Sequence, residues 1–368
     1  MSARDSAASQ PRVLLCGYYG EHNLGDDALL EVLLRQLPAG WTPLITAHDQ
    51  ALVRRRFEDR WPDLQTVDRR NPRAVLAALG GSQALVLGGG SLLQDATSFR
   101  SLLYYAALIL AARRRGLPVL LWGQGLGPLR RRRSRLLARL LLRQVSGISW
   151  RDAASARLAA GWGISATQGS DPVWGLEPLA WHGRGGPIVL CWRPVKLLDD
   201  AGWRLLLTAL EQLAEQLDRP VHWLPFHQHQ DSDLLHQLQR RGLVSEPLRR
   251  RSLQVEACSP EQAMQHFQGA SLVVAMRLHG LILAALAGSP CAALSYDPKV
   301  AAAAEALGCP CLDLEGLQQA ETRPAFDRLL ASWLPLVDHP ADPAAREQLR
   351  AGTRVHAELL QRLDPAGS

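Results

Sequence analysis

The chain has 368 residues, of which 47% are hydrophobic and 21% charged, and its formal net charge is +6. That length exceeds one average domain and is enough for two separate cores. The composition is that of a globular protein, and the longest apolar stretch, Leu102 to Ala112, falls short of the roughly 18 residues a membrane span needs.

Short apolar runs alternate with amphipathic stretches from the start. Val13–Cys16 predicts a strand, Asp26–Leu37 a helix and Pro43–Thr46 a second strand. The alternation continues through Ala84–Leu87, a helix around Ser101–Arg114, Val119–Trp122, a helix around Arg135–Gln144 and Gly147–Trp150. This is the pattern of parallel β-α units. Between Gly169 and Pro187 it breaks into Gly, Pro, Trp and His without periodicity, as a crossing segment would.

A second series opens at Ile188–Trp192 and runs through a long helix started by Asp199 and Asp200, the strand Val221–Leu224 and a helix from Asp231. Ser259-Pro260-Glu261-Gln262 has a serine cap, a proline in the first turn and a glutamine at the capping-box position. Leu272–Ala275 and Cys291–Ser295 are strands, Leu278–Ala287 is the helix between them, and Pro343–Leu363 is a closing helix. The expected architecture is α/β: two doubly wound Rossmann-like domains, 1–175 and 176–368, facing each other across a cleft with ligands where the strands end.

Cysteines such as Cys16, Cys191 and Cys291 lie in apolar segments and suit a reducing compartment. Cys309 and Cys311 are close together, but with a proline between them and no second Cys/His pair at zinc-like spacing, no metal is expected. The N-terminal stretch Met1–Gln10 is polar and lacks the apolar core of a signal peptide, so a cytoplasmic enzyme is expected. Its basic residues are almost all arginine. The runs Arg54–Arg56, Arg113–Arg115, Arg130–Arg133 and Arg249–Arg251 are solvated helix ends and loops, or attract something anionic such as the inner face of a membrane or a lipid-diphosphate carrier. No nucleic-acid-binding motif accompanies them.

Chemistry concentrates after the strands. Gly17 to Ala28 sets Gly20, Asn23, Gly25 and Asp26 before a helix, where close backbone approach and free N–H groups suit an anion or sugar hydroxyls. The spacing is neither the dinucleotide fingerprint nor a P-loop. Gly88-Gly89-Gly90-Ser91 and Gly123-Gln124-Gly125 are expected to be glycine-rich turns at strand ends, with Asp95 and Arg151-Asp152 near the same rim. Met276-Arg277-Leu278-His279-Gly280 follows a strand at the mouth of a helix. Arginine there offers a planar fork for carboxylate or phosphate, the helix terminus adds amide donors, and His279 can deliver a proton near neutral pH. Arg193, after Ile188–Trp192, could supply a second cation, and the chain's two lysines, Lys196 and Lys299, both fall in strand-end loops.

The ordered set GYYGEHNLGDDALL, GGGSLLQD, GQGLGPL, SWRDAAS, SDPVW, CWRP and MRLHGLILAALAGSPCAALSYDPKV resembles the polysaccharide pyruvyl transferases, especially the bacterial cell-surface-anchoring branch, over Val13 to Val300. The resemblance implies a fold similar to the B-type glycosyltransferases, phosphoenolpyruvate as donor, no cofactor or metal, and a cell-surface glycan or its lipid-linked precursor as acceptor. It implies that Arg277 and Arg193 bind the donor's phosphate and carboxylate, with Leu278 and Lys299 beside them, and that His279 is the acid. Asp26, Asp95 and Asp171 are unranked candidates for the base. Gly20, Asn23, Gly25, Asp26, Gly89, Gly90 and Gln124 are the expected acceptor contacts. Two rivals stand beside this reading: a nucleotide-sugar glycosyltransferase of the same architecture, and a non-catalytic glycan-binding module. The sequence leaves the oligomeric state open.

Overall fold

A computed structural model of the chain describes residues 10–96, 98–319 and 322–363. Most of the polar stretch Met1–Gln10 therefore lies outside the described residues. The described residues divide into two compact units, one from 10–21, 29–172 and 352–363, the other from 22–28 and 173–351.

The first unit holds a parallel sheet of β1 (Arg12–Tyr19), β2 (Thr42–Ala47), β3 (Gln65–Asp68), β4 (Ala84–Leu93), β5 (Val119–Leu126), β6 (Gly147–Trp150) and β7 (Thr167–Gln168), in the order β3-β2-β1-β4-β5-β6-β7. The periodicity missed β3 and its flanking helices, Gln50–Phe57 and Pro72–Gly80. All three are short, and no residue of β3 is buried, so the hydrophobic signal that marks an inner strand is absent.

The expected glycine turns are a correction. β4 runs through Gly88–Ser91 and β5 through Gly123–Gly125, with Gly90 paired to Gln124 and the register slipping between Gly90 and Leu93. Gly89 and Gly90 take φ of +30° and +87°, which lets an extra residue bulge out of a ladder that would otherwise end there.

The second unit holds β8 (Ile188–Cys191), β9 (Val221–Trp223), β10 (Ser252–Gln254), β11 (Leu272–Ala275), β12 (Cys291–Ser295) and β13 (Cys311–Asp313), all parallel, in the order β10-β9-β8-β11-β12-β13. Every residue of β8, β11 and β12 is buried, as expected where helices cover both faces of a parallel sheet. Trp192 packs edge-on against Trp223, 5.5 Å between ring centres, and against Trp203 in the core beneath. Local signals behave as read: Asp199 accepts from Gly202 N–H at the head of the Asp200–Leu217 helix, and Ser259 from Gln262 N–H. Gln262 reaches back to Cys258 N–H at 2.7 Å and closes the box one residue early.

The chain end differs from expectation. The single helix read over Pro343–Leu363 is two, Pro343–Ala351 and Arg354–Gln361, and residues 352–363 belong to the first unit. Buried His356 fixes them there: Nδ1 lies 2.8 Å from Ser149 Oγ and Nε2 2.7 Å from the Ser170 carbonyl oxygen. Division between the units falls at Pro172/Val173 rather than at residue 175, with 22–28 and 352–363 exchanged. No described helix is long and apolar enough to cross a membrane.

Candidate functional site

In both sheets the third and fourth strands in sequence lie on opposite sides of the first. Neighbouring crossovers therefore leave in opposite directions and open a crevice at the C-terminal ends of strands one and four. In the second unit those strands are β8 and β11. The residues that follow them are Trp192-Arg193 and Met276-Arg277-Leu278-His279, so topology alone brings both predicted arginines and the histidine to one edge.

A residue read from the sequence only as a helix start holds Arg277. Asp231, 3% exposed, ends the short helix Gln228–Asp231. Its carboxylate accepts from Arg277 Nε at 3.1 Å and from Nη2, and from the backbone N–H groups of Phe226 and His227 at 3.2 and 2.8 Å. The two backbone donors hold the carboxylate in place, and its two charge-assisted bonds fix the guanidinium plane. The neighbouring Gln230 Oε1 accepts from Arg277 Nη2 at 3.0 Å and from Arg193 Nη2 at 3.2 Å. Arg193 also donates to the Tyr296 hydroxyl at 3.0 Å and lies over that ring at 5.1 Å. Two cations thus converge on one neutral oxygen, with a single carboxylate paired to them among the described residues. Arg193 Nε is buried and has no hydrogen-bond partner among the described residues.

His279 sits in the first turn of the helix Leu278–Leu286, whose cap residue is Arg277. Its ring lies against Gly25, in the first turn of the helix Leu24–Gln36. A β-carbon on Gly25 would fall 2.1 Å from His279 Nδ1, so this glycine is required by close approach. Two helix N-termini, each a partial positive charge, meet around the imidazole.

The segment carrying Gly25 is held by pairing with the strand-end loop after β9. Asn23 bridges His227 in antiparallel sense, Leu24 N–H donates to the Phe226 carbonyl at 3.1 Å, and Gln228 N–H to the His22 carbonyl at 3.0 Å. These contacts place residues 22–28 in the second unit, a correction to their expected place in an N-terminal acceptor domain. Asn23 Oδ1 caps Gly25 N–H at 3.1 Å, and its Nδ2 donates to Asp26 Oδ2 at 2.5 Å.

His227, also missed, is 5% exposed, and its Nδ1 has no hydrogen-bond partner among the described residues. Burial, and after it the Arg277 guanidinium, push its pKa down to about 4, so it is neutral near pH 7. The rings of His22 and His229 meet edge to face at 4.9 Å beside it. The signal was there in Pro225-Phe226-His227-Gln228-His229-Gln230-Asp231, a polar run directly after a buried strand. Lys299 lies in the first turn of the helix Pro298–Leu307, and its backbone N–H donates to the capping Asp297 at 3.0 Å. Leu278 is half-buried.

The remaining predicted residues lie in the first unit and serve its own fold. Asp95 accepts from the N–H groups of Arg130 and Arg131 at 2.8 and 2.9 Å. Burial alone would raise its pKa, but those donors and Ser134 bring it below the usual carboxylate range, which makes it a weak base. Asp171 pairs with buried Arg151 at 3.0 Å. Gly20, at φ +70°, stacks on the backbone of Asp49. Gly89 and Gly90 form the bulge. Gln124 is 1% exposed and donates to the Leu87 carbonyl at 3.1 Å, because β5 continues past its expected end and carries this side chain into the sheet.

Solved structures share this architecture across nearly the whole chain. MurG of Acinetobacter baumannii matches with a TM-score of 0.54 and 13% identity, covering 96% of this chain and 99% of its own. The UDP-GlcNAc 2-epimerase of Methanocaldococcus jannaschii matches at 0.60 and 11%, covering 95% and 99%. That of Neisseria meningitidis, bound to UDP-GlcNAc, matches at 0.60 and 11%, covering 96% and 100%. At such identities the likeness establishes the fold, two parallel α/β sheets of the GT-B-like kind. No curated protein sequence matches the chain. A family model described as polysaccharide pyruvyl transferase matches residues 23–298, from the asparagine that pairs with His227 to the proline after Asp297. With that match over most of its length, spanning Arg193, His227, Asp231, Arg277 and His279, the chain belongs to the polysaccharide pyruvyl transferase family and is a transferase.

Proposed function

We propose that the chain transfers a pyruvyl group from phosphoenolpyruvate to a sugar of a cell-surface polysaccharide or its lipid-linked precursor, in the manner of the cell-surface-anchoring branch. The observation that carries this is the pair Arg277 and Arg193 converging on Gln230 beside His279, with the Nε of Arg193 buried and without a hydrogen-bond partner among the described residues. A small trianion with a carboxylate and a phosphate matches two guanidiniums and two helix N-termini.

In this reading His279 gives its proton to the donor's methylene carbon, and the carbon bearing phosphate becomes electrophilic. A sugar hydroxyl attacks it, and Asp26, held by Asn23, accepts that hydroxyl's proton. The second hydroxyl then displaces phosphate, which takes the remaining proton, and the cyclic ketal closes. Arg193, Arg277 and the Leu278–Leu286 helix terminus carry the charge on the departing phosphate. Lys299 completes the donor's surroundings, and Asn23, Gly25 and Asp26 meet the acceptor. Asp95 is omitted from the reaction because its lone pairs are committed to Arg130 and Arg131.

Thermal shift separates this from a nucleotide-sugar transferase. Phosphoenolpyruvate at about 100 times its Kd should add about 2.7 kcal/mol of stability, while uridine or guanosine diphosphate should add none. Stabilisation by a diphosphate alone would reverse the assignment. Gly25→Ala is a finer test. Alanine favours a helix by about 1 kcal/mol over glycine, so the fold should survive, but the imidazole must move. A displacement of that size should cut turnover on the order of 10²-fold, measured as phosphate release with acceptor. Unchanged turnover would remove the imidazole's position from the mechanism.

A further inference from the structure

The net charge of the chain hides an asymmetry. Residues 96–150 contain eleven arginines and no aspartate or glutamate. Removing those eleven from the chain's 41 basic residues leaves 30 against 35 acidic ones, so the rest of the chain is net acidic. The stretch folds as β5 and β6 with two helices, Phe99–Arg114 and Arg132–Leu142, which pack side by side in the first unit; Arg133 lies 4.3 Å over the Phe99 ring where their N-terminal ends meet.

The outward faces of these helices are not polar, as a solvated helix face should be. On Arg132–Leu142 the buried side is Ser134, Ala138, Leu141 and Leu142. Helical periodicity puts Leu136 and Leu140 at the centre of the opposite side, where they are 59% and 51% exposed. Arg132, Arg133, Arg139 and Arg143 surround them, all exposed. The neighbouring helix repeats the design: Leu103 at 45% and Leu110 at 37% exposure share a stripe with Ala107, which ends in Arg100 and Arg114. None of the arginines named here forms an ion pair among the described residues.

We propose that the outward face of the Phe99–Arg114 and Arg132–Leu142 helices docks the protein on an anionic membrane surface. The chemistry selects that occupant. Exposed leucines between arginines on the outward side of a helix match the acyl boundary and the phosphate headgroups of an interface. A nucleic acid would use the arginines and leave the leucines in water. A second copy of this chain would have to bring two strongly basic faces together. The proposal stands apart from the catalytic reading, since no residue of the arginine and histidine cluster takes part.

Co-sedimentation of the full chain with vesicles tests it, using phosphatidylcholine alone and phosphatidylcholine mixed with phosphatidylglycerol. The protein should partition onto the anionic vesicles and only weakly onto the neutral ones. Arg132→Gln with Arg139→Gln and Arg143→Gln should weaken partitioning on the order of 10²-fold, about fivefold for each charge near the surface. Leu136→Ser with Leu140→Ser should weaken it by about tenfold or more, since partial burial of each leucine is lost. Both variants change exposed side chains, and unchanged melting confirms that they fold. Failure to bind anionic vesicles would overturn the proposal. So would vesicle binding indifferent to the leucines and matched by binding to single-stranded RNA, or a leucine-dependent dimer that leaves vesicles alone.

Discussion

Replacing Asp231 by asparagine is expected to lower the melting temperature and to abolish stabilisation by phosphoenolpyruvate together. The carboxylate is buried and satisfies two backbone N–H groups as well as the Arg277 fork. Removing one partner of a buried pair costs about 3–5 kcal/mol, because the other charge is left without compensation. Arg277 keeps 13% of its side chain exposed and recovers some hydration, so the lower end, about 3 kcal/mol, is expected. For a unit of this size that is about 6–12 °C in Tm. The double change Asp231→Asn with Arg277→Met separates the two effects. The asparagine oxygen still accepts from the Phe226 and His227 N–H groups and no guanidinium is left uncompensated, so most of the stability should return, while donor binding should stay lost. An Asp231→Asn protein that melts normally and still responds to phosphoenolpyruvate would show that the guanidinium needs no such anchor.

The second large effect belongs to His279. His279→Asn keeps a polar side chain in the first turn of the helix and leaves Arg193, Arg277 and Gln230 untouched, so phosphoenolpyruvate should still raise Tm. Phosphate release in the presence of acceptor should fall by about 10²–10⁴-fold, the usual worth of a positioned general acid. Loss of turnover with donor binding retained isolates a proton-transfer role. Loss of both would make the imidazole a binding group, and retention of both would end its part in the reaction. Asp26→Asn, compared under the same conditions, should lower turnover without changing the donor's thermal shift.

Much of this site was legible in the sequence because its parts are local. An arginine and a histidine between a buried apolar run and a helix can only sit at a strand's C-terminal end, and the same argument positioned Arg193. The groups that hold these cations were not legible. Asp231 is 46 residues from Arg277, and reading it as the start of a helix says nothing about which distant cation its carboxylate meets. Gly25 and His279 are still further apart, and nothing in either segment announces that one ring needs the other's missing side chain. The glycine-rich stretches misled for a related reason. Positive φ at Gly89 and Gly90 is equally compatible with a turn and with a bulge, and the choice depends on whether a neighbouring strand continues alongside, as β5 does.

By itself the sequence determined the alternation of strands and helices, the helix caps and the residue types that end each strand, since these follow from periodicity and from hydrogen bonds a few residues long. Tertiary structure alone decided which strand ends are neighbours, that residues 22–28 pair with the loop after β9, that 352–363 return to the first unit, and that the helices Phe99–Arg114 and Arg132–Leu142, each with exposed leucines, pack on one another. Those outcomes are set by contacts between segments tens to hundreds of residues apart. Their energies come from burial and pairing, and no local stretch of chain records them.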